Sequence, residues 1–237
     1  MESLESELER ARDLEVGELA DAIESIGFEC TRCGACCTSE ADEPHTATVF
    51  PDEVRELRDA TESRSDEPAP DARSQRSRDW RDVARPMPYG LDDGEGETFE
   101  WALQTDGCGD CTFYAEDEAG VGACTVHGDR PLICRTYPFS VALGGTSQPM
   151  GEAVDGEGMV RAHECEGLGR DISREEAEEL ARALKERAVR ELEEAIGVRE
   201  NYRPVEGSTV VYDSEGPKRP DGSAVGADTT NRGDTHD

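Results

Sequence analysis

Four cysteines lie within eight residues near the start of the chain, in the segment Cys30-Thr31-Arg32-Cys33-Gly34-Ala35-Cys36-Cys37. A cysteine that serves only as a small core hydrophobe can occur anywhere along a helix or strand, whereas the C-x2-C-x2-C-C spacing directs several sulfurs toward one point. Thiolates held that close together repel one another unless a cation lies among them. The segment therefore predicts a metal site.

Two other interpretations of the cysteines are less favourable. Reduced cysteines packed in a core do not need this spacing, and disulfides between such close neighbours would close loops too tight for ordinary bridge geometry. The total of nine cysteines is also odd. The N-terminus, Met1-Glu2-Ser3-Leu4-Glu5, lacks the charged and apolar regions of a signal peptide, so we expect a cytoplasmic protein with reduced thiols.

A second group of cysteines follows downstream. Cys108 and Cys111 precede an acidic loop at residues 115–122, and Cys124 follows it. Two short strands joined by this loop would form a β-hairpin that presents Cys111 and Cys124 side by side. Cys134 and Cys165 come later and can return the chain to the same site.

The order and spacing of these residues resemble a known family. The matching elements are Cys30-x2-Cys33-Gly34-x-Cys36-Cys37, Cys111-x-Phe113, Cys124-x-Val126-His127, Arg130-Pro131-x2-Cys134-Arg135-x2-Pro138-Phe139 and Cys165-x-Gly167. They resemble the YkgJ-type cysteine-cluster family of zinc- or iron-chelating domains over residues 28–168. The resemblance implies eight metal ligands, namely Cys30, Cys33, Cys36, Cys37, Cys111, Cys124, Cys134 and Cys165. Residues 61–97 and Cys108 are additions to the family pattern.

The sequence leaves the identity and number of the metals open. Four thiolates in a tetrahedron suit zinc, while C-x2-C-x2-C is also the spacing with which ferredoxin-type chains hold three corners of a [4Fe-4S] cluster. Eight thiols can form two four-ligand sites, or one cluster with the remaining thiols structural. The expected partner is therefore a zinc ion, an iron ion or an iron–sulfur cluster.

Charged residues beside the cysteines can tune such a site. Four thiolates around a divalent metal leave about two net negative charges, which Arg32, Arg130 and Arg135 are suited to offset, although each arginine alone is equally well a surface residue. Histidines also lie close to cysteines in the sequence, at His45, His127 and His163. They are weaker ligand candidates because the eight thiols already fill the coordination.

The composition is strongly acidic. Asp and Glu number 56 against 25 Lys and Arg, the net charge is −31, and only Lys185 and Lys218 are lysines. The acidic residues run through the whole chain, which resembles the proteins of extreme halophiles, as in the haloarchaea, more than a tail for a basic partner. No basic face is available for phosphate contacts, so we expect no nucleic-acid partner. No segment approaches the ~20 apolar residues of a membrane span, so we expect no membrane partner.

Apolar periodicity predicts a helix at each end of the cysteine region. Leucine, alanine and isoleucine recur at helical spacing over residues 2–25, and Gly27 ends this helix. Ser173 and Glu176 form a capping box that begins a second, longer helix. The buried stripes of the two helices are expected to pack against each other.

These elements predict an α+β protein with a small, metal-stabilised, irregular cysteine-cluster core that contains short strands and a hairpin and is flanked by N- and C-terminal helices. The predicted organisation is an N-terminal helix at 1–27, a cysteine-cluster domain at 28–168 with a flexible acidic insertion at 61–97, a C-terminal helix at 169–200, and a mostly disordered acidic tail at 201–237.

The sequence contains no phosphate-binding glycine loop and no nucleophile elbow, so any catalysis would depend on the metal. This favours a structural or accessory metal-binding module. Two alternatives stay open. One is an iron–sulfur oxidoreductase or electron carrier, and the other is an enzyme related to flagellin lysine N-methylases, whose cysteine cluster looks similar.

The excess of acidic residues predicts that folding depends on salt. At molar salt the screening length falls to about 3 Å, so carboxylates repel one another far less than in dilute buffer. We expect the melting temperature, measured by circular dichroism, to rise as KCl increases from dilute to molar concentration. A flat or falling melting temperature would show instead that the acidic residues serve a specific partner.

Overall fold

The computed structural model describes residues 3–39, 44–63, 78–118, 120–143, 153–155 and 158–226. The helices in these residues are α1 (Leu4–Asp13), α2 (Val16–Ile26), α3 (Pro51–Ser63), α4 (Trp80–Val83), α5 (Leu132–Thr136) and α6 (Arg174–Asn201). The strands are β1 (Thr48–Val49), β2 (Ala84–Pro86), β3 (Leu91–Asp92), β4 (Glu95–Thr98), β5 (Trp101–Leu103), β6 (Tyr114–Glu116), β7 (Gly122–Cys124), β8 (Phe139–Val141), β9 (Ala153–Asp155), β10 (Val160–His163), β11 (Thr209–Asp213) and β12 (Gly216–Lys218).

These strands form several small sheets, which confirms the predicted α+β class. β5 lies between β1 and β2 in one antiparallel sheet, and β10 lies between β8 and β9 in another. A third sheet has the order β12-β11-β4-β3, in which β11 runs parallel to β4. β6 and β7 form the predicted hairpin, with Tyr114 paired to Cys124.

The long helix α6 organises the first hydrophobic core. The predicted capping box is present at its start, since Ser173 Oγ accepts the Glu176 N–H and Glu176 accepts the Ser173 N–H. Its buried stripe packs against α1 and α2, as the two amphipathic patterns predicted. Buried members of this core include Leu8, Leu19, Ile23, Phe139, Leu184 and Leu192. Within the described residues, no helix combines the length and the apolar composition needed to cross a bilayer.

The N-terminal helical segment is two helices rather than the single helix predicted. The break falls at Leu14, whose backbone turns out of the helix with a ψ of 129°. Leu14 is then buried in the core, while its carbonyl accepts a hydrogen bond from Lys185 Nζ of α6 at 2.8 Å. Burial of one side chain and the Lys185 contact therefore favour the break over helix continuation. α2 ends at Gly27 as predicted.

A second hydrophobic core corrects the prediction for the acidic insertion. In the described part of that segment, residues 78–97, the chain forms α4 and three strands, and Trp80, Val83 and Met87 are buried. The Trp80 and Trp101 rings meet edge-on with centroids 5.0 Å apart. The prediction of a flexible insertion is wrong here because the few apolar residues are concentrated where a neighbouring strand, β5, can cover them. Residues 64–77 lie outside the described residues.

The chain after α6 also differs from the predicted tail. β11 and β12 lie within the segment predicted as a mostly disordered tail, where they pair with each other and are largely buried. Asp213 accepts hydrogen bonds from Trp101 Nε1 and Lys218 Nζ, each at 2.8 Å. The Trp101–Asp213 hydrogen bond attaches the C-terminal strands to the second core, a contact that no local pattern predicts. Residues 227–237 lie outside the described residues.

Arg187 joins α6 to the chain segment that carries Cys134. Its side chain is 1% exposed and donates hydrogen bonds to Thr136 Oγ1 at 3.0 Å and to the Phe139 carbonyl at 3.3 Å. It also pairs with Glu191 at 2.7 Å on its own helix. Without Arg187, the buried Thr136 and Phe139 acceptors would lose this hydrogen-bond donor. Arg187 therefore stabilises the junction of α5, α6 and β8.

We expect Arg187→Met to lower the free energy of unfolding by about 3 kcal/mol, because it removes one member of a buried charged network. The matched control is Arg182→Met on the same helix, which loses only a solvent-exposed pair with Glu178 and should change stability by less than about 1 kcal/mol. Urea denaturation of both variants measures the difference. Equal effects would mean that the buried contacts of Arg187 contribute no special stability.

Candidate metal centre

One cavity of about 380 Å³ collects the cysteines. Its wall includes all eight predicted ligands, which come from the loop after α2, the loop between β5 and β6, β7, α5 and the loop after β10. Cys108, the ninth cysteine, is exposed and does not line the cavity. All nine cysteines are free thiols. The fold therefore brings together the eight residues that the family resemblance implied.

The first cysteine loop is shaped by unusual backbone conformations. Phe28 anchors its beginning, with the ring edge-on to Phe139 at 5.7 Å. Arg32 and Gly34 have positive φ angles of 58° and 80°, which turn the chain sharply between cysteines. A β-carbon at Gly34 would collide with the Tyr114 side chain. Glycine is thus required at position 34 both for the backbone angle and for the close approach of Tyr114.

Hydrogen bonds hold the segment of Cys165 against the start of the first cysteine loop. Glu29 donates its N–H to the Gly167 carbonyl at 3.0 Å, and a β-carbon at Gly167 would collide with the Glu29 carbonyl oxygen. Gly167 also donates its N–H to Cys165 Sγ at 3.4 Å. Tyr137 donates its hydroxyl to the Glu164 carbonyl next to Cys165. The Cys165 sulfur is consequently held beside the first cysteine loop.

Hydrogen bonds hold the segment of Cys111 against the end of the first cysteine loop. Its N–H donates to the Cys37 carbonyl at 2.8 Å, and the neighbouring Asp110 carboxylate accepts the Ser39 N–H at 2.7 Å. Backbone N–H groups of Phe113 and Tyr114 approach the Cys111 sulfur and oppose the rise of its pKa. Such N–H contacts to sulfur are the kind that stabilise metal-bound thiolates.

Glu53 positions the helix that carries Cys134. Its side chain is 6% exposed, and its two carboxylate oxygens accept the N–H groups of Phe50 at 3.0 Å and of Leu132 at 2.8 Å. Burial raises the pKa of Glu53, while these two hydrogen bonds oppose the rise. Glu53 thus links α3 to the first residue of α5, two residues before Cys134.

The thiols crowd one another strongly. The sulfurs of Cys36 and Cys37 are 3.8 Å apart, and this contact lowers the pKa of Cys36 to about 7 while it raises that of Cys37. Burial raises the pKa of Cys111 to about 11 and raises that of Cys134 well above its usual value, with further increases from neighbouring thiols. The thiols therefore cannot all ionise together unless a cation compensates their charge.

The sulfurs surround the cavity without meeting at one point. Among the residues that the structure describes, no three His, Cys, Asp or Glu side chains are placed to hold a metal ion together. The donor set nevertheless fits a thiophilic metal, because eight thiols share one cavity and two of them receive backbone N–H groups. A bound metal would draw the sulfurs inward from the cavity wall.

The three arginines named by the sequence also line the cavity. The charge of Arg130 lowers the pKa of His127, with smaller effects from burial and from Arg32, so these cationic groups lie close together. Arg130 also partly offsets the burial and thiol charges that raise the pKa of Cys134. Arg130 is therefore placed to compensate negative charge on the thiols, whereas Arg135 is exposed at the cavity edge.

The histidines have different positions. His45 lines the cavity with Nε2 3.0 Å from the Cys36 carbonyl oxygen, and burial lowers its pKa, so a neutral ring that donates from Nε2 fits this contact. His127 is exposed on the cavity wall. His163 is buried beside Ser140 Oγ, 2.8 Å from Nε2, and does not line the cavity.

Sequence reasoning missed the residues that position the ligands. Glu53, Asp110 and Tyr114 act through contacts with distant parts of the chain, and their local sequence is that of an ordinary helix start, turn and strand. His45 was considered only as a ligand, whereas its ring bonds to the backbone of the first cysteine loop. Among these residues, Tyr114 could have been suspected from the sequence, because the segment 111–114 begins with a cysteine.

Comparison with known proteins identifies one family. The family model CxxCxxCC, described as "Putative zinc- or iron-chelating domain", matches residues 29–166, which is more than half of the chain. The match begins in the first cysteine loop and ends directly after Cys165. No curated protein and no solved structure matches the chain.

The positions of Cys108 and Cys111 predict opposite results for two similar substitutions. We expect Cys108→Ser to leave the metal content unchanged, because this exposed thiol lies off the cavity wall. Cys111→Ser should lower the metal content, because it removes a buried thiol from the wall. Elemental analysis of the two purified variants beside the parent protein measures this. An equal loss from both would make Cys108 a ligand.

Proposed function

The chain belongs to the CxxCxxCC family of zinc- or iron-chelating domains, and on that premise we propose that it binds its metal through Cys30, Cys33, Cys36, Cys37, Cys111, Cys124, Cys134 and Cys165. The observation that carries this proposal is the cavity itself. Eight thiols from five separate segments line one wall, while the additional thiol, Cys108, does not. Cysteines without a common role would not be expected to line one cavity in all eight matching positions while the additional cysteine lies elsewhere.

The surroundings of the sulfurs support binding of thiolates. Cys165 receives the Gly167 N–H, and the backbone N–H groups of Phe113 and Tyr114 lower the pKa of Cys111 against the effect of its burial. Arg130 adds positive charge near Cys36 and Cys134. Such contacts orient thiolate ligands and reduce the net negative charge of a thiolate-rich site.

The proposed role of the metal is structural, within an accessory metal-binding module. A metal held by these thiols would cross-link segments as distant in sequence as Cys30 and Cys165. Structural zinc contributes about 10–16 kcal/mol in small zinc peptides, while ordering the backbone costs about 1–2 kcal/mol per residue. The first cysteine loop has no regular secondary structure and three exposed thiols, so metal binding is the main source of energy available to order it.

Two properties of the whole chain complete the proposal. Nine free thiols in one domain are compatible with a reducing compartment, and we place the protein in the cytoplasm. The net charge of −31 supports a role in concentrated salt, where carboxylates hydrate the surface without strong mutual repulsion.

The proposal is tested by anaerobic purification at high salt, followed by measurement of zinc and iron per chain. We expect at least one bound metal ion or cluster per chain, and a visible spectrum that distinguishes zinc, which is colourless, from an iron–sulfur cluster. A folded protein that contains neither metal would contradict the proposed function.

Metal removal gives a second prediction. We expect a strong chelator under reducing conditions to abolish hydrogen-exchange protection at residues 29–38 and 108–118, because these loops depend on the thiol site for order. Protection in α6 should partly remain, since its leucine and alanine stripe is buried in a separate core. Unchanged exchange in both loops after verified metal removal would show that the fold does not need the metal.

A further inference from the structure

We propose that the cavity contains two separate four-thiol sites. The inner group, Cys37, Cys111, Cys124 and Cys134, is assigned to zinc, and the outer group, Cys30, Cys33, Cys36 and Cys165, is assigned to a [4Fe-4S] cluster. This inference rests on the proposed function, because it divides the thiols of the same cavity between two metals.

The inner group is defined by its packing. Cys111 is 6% exposed and belongs to the second hydrophobic core together with Trp101, Leu103 and Phe113. Cys37, Cys124 and Cys134 are partly buried and pack against that same core. No member of the outer group packs against it. The division of the eight thiols therefore appears in the packing of the protein.

Backbone contacts hold the inner group together from four segments. The Cys111 N–H donates to the Cys37 carbonyl, and the Thr125 N–H donates to the Phe113 carbonyl at 2.8 Å, which sets Cys124 beside the Cys111 segment. Cys134 approaches from α5, whose first N–H is held by Glu53. Four thiols from four segments supply the ligand number and type of a closed structural zinc site, which has tetrahedral coordination and no open position.

The outer group lies at the mouth of the cavity. Cys30, Cys33 and Cys36 are exposed, and Cys165 is partly buried. Phe28, two residues before Cys30, pairs with Leu168, three residues after Cys165, so the backbone places the two segments side by side. The Glu29–Gly167 hydrogen bond fixes the Cys165 segment against the beginning of the first cysteine loop.

The outer group also has the spacing that suits a cubane cluster. Cys30, Cys33 and Cys36 form C-x2-C-x2-C, which can hold three corners of a [4Fe-4S] cluster, and Cys165 supplies a fourth thiol from a distant segment. The Gly167 N–H bonded to Cys165 Sγ is the kind of contact that adjusts cluster potentials. Exposure of three thiols gives iron and sulfide access to this group.

The boundary between the two groups falls between adjacent residues. Cys36 and Cys37 have sulfurs 3.8 Å apart, but Cys36 is exposed at the mouth, whereas Cys37 packs against the second core. The two adjacent residues therefore differ in burial, although their sulfurs are in contact. This pair offers the sharpest test of the division.

The first experiment compares Cys36→Ser with Cys37→Ser, using Cys108→Ser as the matched control. The protein is purified anaerobically, reconstituted with ferric iron, a thiol reductant, sulfide and zinc, and analysed for iron, acid-labile sulfide and zinc. We expect Cys36→Ser to lose iron, sulfide and visible absorption while keeping the zinc of the parent protein. Cys37→Ser should lose zinc and keep the cluster, and Cys108→Ser should keep both. Loss of the same metal from both of the adjacent variants would overturn the division.

A second experiment does not depend on the folding of an inner-group variant. The quadruple variant Cys30→Ser/Cys33→Ser/Cys36→Ser/Cys165→Ser should bind one zinc, and zinc-edge X-ray absorption should show four sulfur ligands at about 2.3 Å. Fewer than four sulfurs, or loss of this zinc, would overturn the inner site. Two zinc ions and no sulfide in the parent protein would overturn the assignment of the outer group to a cluster. A parent protein without either metal would contradict the proposed function itself.

Discussion

Eight thiols share a single cavity, and this crowding is the constraint on which the rest of the structure depends. Sulfurs as close as those of Cys36 and Cys37 cannot all carry charge in a partly buried site unless cations or hydrogen-bond donors compensate them. Arg130 on the cavity wall supplies positive charge, and backbone N–H groups near Cys111 and Cys165 stabilise their thiolates. Six of the eight cysteines reach the cavity on loops, whereas Cys124 lies in β7 and Cys134 in α5.

Two hydrophobic cores hold these loops from different sides. The first core packs α6 against α1 and α2 and includes Phe28 at its edge, where the first cysteine loop begins. The second core contains Trp80 and Trp101 and has Cys37 at its edge, where the same loop ends. The loop thus runs from one core to the other within about ten residues. Glu53 and Arg187 connect the surrounding elements through buried hydrogen bonds, so the positions of the ligands depend on both cores.

The few cations of this acidic chain have defined structural positions. Lys218 is buried and pairs with Asp213, which also accepts the Trp101 indole N–H. Lys185, the other lysine, donates to the Leu14 carbonyl at the break between α1 and α2. Lys218 also lies over the Trp80 ring, 5.4 Å from its centroid, so in a protein with a net charge of −31 both lysines contact distant segments of the chain. Their side chains are not free counterions for the acidic surface.

The sequence by itself determined the family, the α+β class, the Gly27 helix end and the capping box at Ser173, and it predicted the eight cysteines that line the cavity. These features depend on residue types at fixed spacing, and short-range geometry is enough to produce them. The sequence did not predict the burial of Trp80 and Met87 or the pairing of β12. These features depend on the approach of β5 and of β11, which only the folded chain brings about.

The tertiary structure alone decided which residues position the cysteines and which thiols pack against the second core. Glu53 and Leu132 are far apart in the chain, as are Cys37 and Cys111, and their hydrogen bonds form only after the fold has brought them together. The same holds for Cys36 and Cys37, which are equivalent in the sequence pattern. Only packing against the second core separates one from the other, because burial is a property of the surrounding residues and is not encoded in the spacing of the cysteines.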